Sequence, residues 1–326
     1  MNSSRYRDII SGFEGKNIIV AGDIMLDVYY WGDVDRISPE APVPIVHITK
    51  ENVRSGGAGN VAMNLSGLNA TPLLIGVIGE DENGHTLLKQ FRGQSISCDG
   101  IFHLKNRNTT VKTRVIAQNQ QMIRFDKEFT EFISKSVEEN VISQFNEHIP
   151  NAHGVILADY GKGILTPTVI LEIIRISKQN QIPVYVDPKS VDFNHFRNVH
   201  MLKPNLPEFQ SMVGNWESKD EFNDSGVELR EKLNVDILMV TLGAEGCTLF
   251  TQKHRQNIPT KALQVHDVSG AGDTVISSFA LAELSGANAV ESALIANYAA
   301  GYVCGEVGVV PITLDNLTQM VEYYLN

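Results

Sequence analysis

Residues 267–274 read DVSGAGDT, a run that sets two glycines and a carboxylate at the start of a helical pattern. Val275, Phe279 and Ala282 then recur at helical spacing, so the amides of Gly270, Ala271, Gly272 and Asp273 are expected to point outward at a helix N-terminus, where anions are favoured. Gly270 and Gly272 let a phosphate approach the backbone closely. A carboxylate at an anion site needs a reason, and proton handling supplies one. Asp273 can take the proton of a hydroxyl as that oxygen attacks the γ-phosphorus of a nucleotide. The bland alternative is a helix start whose acid complements the macrodipole. Charge on a transferring phosphoryl group exceeds what amides alone can hold, so ATP is expected to arrive with magnesium.

Other segments carry polar residues at the ends of apolar runs. Asp23 and Asp27 follow the strand-like NIIVAG and are candidate acceptors of hydrogen bonds from substrate hydroxyls, or else turn or cap residues. Cations that can grip a phosphate are Lys162 in DYGKG, Lys189 in DPK, Arg114, Arg124 and Arg36, with Lys162, Lys189 and Arg124 ranked first. Pro204 and Pro207 fix a loop around Asn205 in KPNLPEF, where Asn205 and Glu208 either form a capping box or sit near the nucleotide phosphates. The two readings are compatible. TLGAEG, with Thr241, Gly243 and Gly246, ends a strand-like run and offers its backbone to the nucleotide, or is a plain tight turn.

These segments must be positioned by the elements between them. Apolar β-rich runs alternate with helical patterns: NIIVAG, a helix after GGAGN, PLLIGVIG, a helix through Leu87 and Phe91, GVILAD, a helix over Ile170 to Ile176, then PVYVD, VHMLKP, DILMVTLG and CTLF. The runs scarcely alternate, which predicts a mostly parallel central sheet buried on both faces. Two stretches break the rhythm: Val28 to Ile48, and Thr109 to Phe125, where TTVKTRVIA and QQMIRF flank a turn-like QN. They are expected to form a small antiparallel sheet, an accessory element at about 28–49 and 108–125 within a single α/β domain of residues 1–326.

Composition narrows the partners. The 326 residues carry 27 Lys and Arg against 38 Asp and Glu, a net charge of −11, which argues against a nucleic-acid or anionic-membrane surface. An anionic substrate therefore needs a local cationic pocket. Cys98, Cys247 and Cys304 are odd in number and follow no metal-like spacing. No segment approaches the roughly 20 apolar residues of a membrane span, and no secretory leader stands at the N-terminus, so a cytoplasmic protein is expected.

GAGD at Gly270 to Asp273, preceded by Asp267, resembles the C-terminal signature of the ribokinase-like (PfkB) carbohydrate kinases, and GGAGN at Gly56 to Asn60 resembles their N-terminal one. GDIMLDVYYWGDVDRISPEAPVPIV, GGAGNVAMNL, NQQMIRFD, ADYGKGIL, VDPK and KPNLPEF together look like the D-glycero-D-manno-heptose-7-phosphate kinases, over about residues 18 to 280. The resemblance implies a ribokinase-like three-layer sandwich with a small β-sheet lid whose strands pair between subunits, hence a homodimer. It implies that Asp27 binds sugar hydroxyls beside Asn60 and the amides of Gly56 and Gly57. It also implies that Asn205, Leu206, Pro207 and Glu208 serve ATP and magnesium, Glu208 through metal-bound water, and that Asn297 borders the adenine.

The activity implied is ATP-dependent phosphorylation of the anomeric O1 hydroxyl of D-glycero-β-D-manno-heptose 7-phosphate to the 1,7-bisphosphate, for ADP-heptose and lipopolysaccharide inner-core synthesis. The alternatives are a kinase of the same fold for fructose, ribose or a keto-deoxy acid, and a noncatalytic sugar-nucleotide sensor. Val268 and Ser269 stand where close relatives carry threonine, and GEVGVVP replaces a more polar pattern, which weakens the expectation of monovalent-cation activation. The sequence shows no HxGH-like nucleotidyltransferase motif, so the later adenylylation step is not expected of it.

Overall fold

The computed structural model describes residues 3–118, 120–189, 192–260 and 265–325. Asn119, half of the QN pair expected to turn the chain, lies outside the described residues. The chain opens with α1 (Ser3–Ser11), β1 (Asn17–Gly22), a long hairpin of β2 (Ile24–Ile37) and β3 (Pro44–Gly57), and α2 (Ala58–Gly67). Next come β4 (Thr71–Gly79), α3 (Glu82–Gly93), β5 (Ser97–Leu104) and a second hairpin, β6 (Thr110–Ala117) with β7 (Gln120–Lys127). The middle alternates α4 (Lys135–His148), β8 (Gly154–Ala158), α5 (Pro167–Gln179), β9 (Val184–Asp187) and β10 (Met201–Leu202). After α6 (Leu206–Val213) and α7 (Lys219–Leu233) come β11 (Ile237–Thr241), β12 (Cys247–Thr251) and β13 (Arg255–Ile258). The chain ends in α8 (Ala271–Leu284), α9 (Ala289–Val303) and α10 (Leu314–Leu325).

Alternate side chains of β1 enter two different cores. Ile18 and Val20 pack with residues of α2, α8, α9 and α10, while Ile19 and Ala21 pack with residues of α4, α5 and α7. A strand buried on both faces lies between two helical layers, which is why NIIVAG shows no polar alternation. The large sheet has the order β13-β12-β11-β10-β9-β8-β1-β4-β5, parallel from β11 to β5, with β12 and β13 antiparallel at one edge. This is the expected three-layer α/β sandwich.

The four-stranded second sheet, β3-β2-β6-β7, departs from the antiparallel expectation. Each hairpin is antiparallel, but β2 and β6 pair in parallel from Met25↔Thr110 to Gly32↔Ala117. The cause is the large sheet. β2 leaves the carboxyl end of β1 and β6 leaves the carboxyl end of β5, strands that point the same way, so their continuations do too. The first hairpin, over 24–57, extends past the expected 28–49 at both ends, and the second, over 110–127, passes the expected 108–125 only at its C-terminal end. The inner half of β2 is buried and its outer half is exposed. Among the described residues, no helix is long and apolar enough to cross a membrane.

Candidate active site

The polar residues that end the parallel strands converge on one rim: Asp23 after β1, Asp159 and Tyr160 after β8, Asp187 ending β9, Lys203 after β10 and Thr241 ending β11. Open α/β sheets bind ligands at this rim. The two glycine loops meet there as well, because α2 and α8 pack together and begin side by side. Gly57 and Gly270 cap these helices with φ of 58° and 79°, a conformation that favours glycine. A Cβ at Gly270 would lie 2.8 Å from Asn60 Nδ2.

Asp273 is 3% exposed in the first turn of α8. Asn60 Nδ2 donates to its Oδ2 at 2.7 Å, and the Tyr160 hydroxyl donates to its Oδ1. Burial pushes the Asp273 carboxyl up to about 7, with Asp187 adding to the rise and Tyr160, Asn60 and Lys203 opposing it. A carboxylate titrating near neutrality suits proton transfer. One expected donor is spent elsewhere: the Ala271 amide donates to the Val268 carbonyl at 3.2 Å. Lys203, 3% exposed and paired with Asp187 at 2.9 Å, supplies positive charge beside the loop; a Cβ on Gly272 would sit 3.4 Å from its Nζ.

On the sugar side, Asp27 is buried and accepts from Arg114, whose guanidinium lies 5.1 Å from the Tyr29 ring centroid. A Cβ at Gly56 would overlap the Asp27 carboxylate, so that glycine allows the close approach. Among the described residues, the buried Asn60 Oδ1 has no hydrogen-bond partner, an acceptor in want of a donor such as a hydroxyl. Asp23, expected as a hydroxyl acceptor or a turn residue, is the latter. Its carboxylate accepts the amides of Tyr160 at 2.8 Å, Lys162 at 3.0 Å and Ile164 at 3.3 Å, clamping the DYGKG loop.

The expected phosphate cations do not all converge on one place. Lys162 pairs with Glu128 at 2.7 Å and Arg124 with Asp126 at 2.6 Å, while Lys112 reaches Asp126 at 3.5 Å. Register places Lys112 beside Asp27 across β2 and β6, and Arg124 opposite Arg114 across β6 and β7. Lys189 does not join them. It pairs with Glu208 at 2.9 Å, and Lys189, Glu208 and Lys203 all act on the charge of Asp187, so it belongs to the Asp187 and Lys203 side. Arg36 lies exposed near the outer end of β2.

Glu208 and Asn205 form a reciprocal capping box at the start of α6, with Pro207 in its first turn. The other Glu208 oxygen accepts from Lys189. Leu206 is turned away, lining a separate cleft with Trp216 and Phe222. Thr241, Gly243, Gly246, Gly272 and Asn297 line a cavity of about 200 Å³, with the buried thiols of Cys247 and Cys304 in its wall. Asn297 borders it, but its amide nitrogen donates to the Pro259 carbonyl at 2.9 Å and so fixes the neighbouring loop. A larger cavity of about 1040 Å³, around His200, Asp236 and Glu283, lies at the amino ends of β10 and β11 and holds none of the expected site residues.

Tyr160, Lys203, Asp187 and Lys112 are unassigned by the sequence reading yet form part of this constellation. The first three stand within ADYGKGIL, KPNLPEF and VDPK, and each follows or ends an apolar run, the signal already used for Lys162 and Lys189. Lys112 gives no such signal, because its place depends on the parallel pairing of β2 with β6.

Fold and site together define a ribokinase-like sugar kinase. The family model described as pfkB family carbohydrate kinase matches residues 16–315. The chain belongs to that family. It is 41% identical to the bifunctional protein HldE of Geobacter sulfurreducens over 90% of this chain, and 37% identical to that of Histophilus somni over 95%. The chain spans 60% and 64% of the length of these two relatives. Among solved structures it is similar to Arabidopsis thaliana ribokinase complexed with ribose and ATP, with TM-score 0.74 and 21% identity over 94% of this chain and 99% of that one. Escherichia coli phosphofructokinase-2 in complex with potassium gives TM-score 0.79 and 17% identity over 96% of this chain and 100% of that one.

Proposed function

We propose that this carbohydrate kinase transfers the γ-phosphoryl group of ATP to the anomeric O1 of D-glycero-β-D-manno-heptose 7-phosphate, a step toward ADP-heptose and the lipopolysaccharide inner core. One observation carries the substrate reading. A single loop joins the base to a remote cationic cluster: Tyr160 touches Asp273, and Lys162, two residues on, stands with Lys112 and Arg124. A sugar whose reacting hydroxyl meets Asp273 while a phosphate at its far end meets that cluster fits both. Asp126 and Glu128 pair with the cations that the phosphate would take.

In this mechanism Asp273 accepts the O1 proton, and the unpartnered Asn60 Oδ1 together with Asp27 orients the sugar. Lys203 and the Gly272 amide hold negative charge at the transferring group. Thr241, Gly243 and Gly246 wall the nucleotide cavity. ATP supplies the phosphoryl group and its magnesium neutralises the charge. Magnesium would arrive bound to ATP, and Glu208, at the start of α6, would act on it through water.

The test is ADP formation with ATP and magnesium across heptose 7-phosphate, fructose 6-phosphate, fructose and ribose at equal low concentration. Preference for the heptose phosphate is expected. Turnover confined to a neutral sugar would overturn the substrate while leaving the kinase.

A further inference from the structure

Both oxygens of Asp273 are engaged, by Asn60 on one side and Tyr160 on the other. Tyr160 is fixed where it stands. Its amide donates to Asp23 Oδ2 at 2.8 Å, and its ring lies 3.5 Å from where a Cβ on Gly57 would sit, between the two glycine loops. We propose that Tyr160 is a positioning residue that holds Asp273 as a carboxylate, ready to take the substrate proton, by donating a hydrogen bond to Oδ1. The inference rests on Asp273 being the base.

The surroundings show why such a donor is needed. Burial and the nearby Asp187 both favour the neutral acid, and Lys203, Asn60 and Tyr160 favour the anion. Lys203 is shared with Asp187, and Arg114 is spent on Asp27, so neither cation is a dedicated counter-charge to Asp273. A phenol provides a donor without adding a cation that would compete for the phosphoryl group. Burial and the Asp273 charge push the Tyr160 hydroxyl well above its ordinary range, so it stays a donor across the working pH. As the sugar proton arrives on Asp273, that hydrogen bond weakens, because a carboxyl group accepts less strongly than a carboxylate.

The experiment is the pH profile of kcat/KM for Tyr160→Phe, assayed with ATP, magnesium and heptose 7-phosphate. The acid limb should move up by about one to two pH units, the worth of a charge-assisted hydrogen bond, and activity should recover toward the parent level at high pH. An unmoved limb, or an equal loss at every pH, overturns the role. Replacing Tyr160 with 3-fluorotyrosine, a stronger donor of nearly the same shape, should move the limb down, and failure to do so counts against the proposal even where Phe perturbs folding. Carboxyl-13C aspartate NMR, with Asp273 assigned by its loss in Asp273→Asn, reads the same shift without turnover. Near-parent activity of Asp273→Asn would instead sink the base assignment itself, an outcome distinct from failure of the Tyr160 inference.

Discussion

Asn60 and Asp273, 213 residues apart in the chain, share a buried 2.7 Å hydrogen bond where α2 and α8 begin side by side. Gly270 makes the bond possible. Its φ of 79° turns the loop into α8, and its missing Cβ leaves room for the Asn60 amide. Gly270→Ala should therefore carry backbone strain of about 1–2 kcal/mol and displace Asn60 from Asp273. The expected result is a melting temperature lower by roughly 1–3 °C and a kcat reduced by about a hundredfold, the scale of losing one preorganised group. A variant with parent kcat would show that the bond does not set the geometry of the base.

The same carboxylate should cost stability as pH rises. Its folded value of about 7 lies above the ordinary 3.8, so the folded state binds this proton more tightly than the unfolded chain does. The contribution is fully present below about pH 4 and is lost as pH climbs through 7. Asp273→Asn cannot ionise, so its melting temperature should gain on the parent between pH 4 and 7 and hold a constant lead above that window. Its kcat should meanwhile fall by about 10²–10⁴, the usual contribution of general-base catalysis. Parallel melting curves for the two proteins across that range would contradict the buried-charge account.

Much of this was legible in the sequence because glycine and unalternating apolar runs report backbone and burial directly. DVSGAGDT announced a helix start, and NIIVAG announced a strand covered on both faces. What escaped depends on pairing between distant segments. The parallel match of β2 with β6 follows from where β1 and β5 sit in the sheet, and with it goes the position of Lys112. Asp23 and Asp27 look alike beside a strand end. Only the fold shows that the first is consumed by three backbone amides while the second faces Arg114. Lys162 and Lys189 share a local signal too, yet the loops after β8 and β9 carry them to different clusters.

That separation predicts different kinetics for the two lysines. Lys162→Ala and Lys112→Ala should each raise KM for the phosphorylated sugar by about ten- to a hundredfold, since a hydrogen bond to a charged group contributes about 1.5–3 kcal/mol. KM for ATP should change little in both. Lys189→Ala should do the reverse, raising KM for ATP and sparing the sugar, because its partner Glu208 sits on the Asp187 side. Initial-rate measurements with each substrate varied in turn decide the matter. An increase in the sugar KM for Lys189→Ala equal to that for Lys162→Ala would merge the two groups again.

The homodimer implied by the family resemblance would use the free edge of the small sheet. β7 is the edge strand, all of it is exposed, and it presents Met122, Ile123 and Phe125 to solvent. Ile37, Val43 and Ile48 add further exposed apolar side chains on and between β2 and β3. An open apolar edge invites strand pairing, and a second copy of this chain is the partner proposed for it. Ile123→Lys puts a charge on that edge and, at an exposed position, should cost the folded subunit little. Light scattering coupled to size exclusion should give a dimer mass for the parent protein and a monomer mass for the variant at the same concentration. A dimer that persists unchanged in Ile123→Lys would move the interface off β7, and a monomeric parent would remove the dimer altogether.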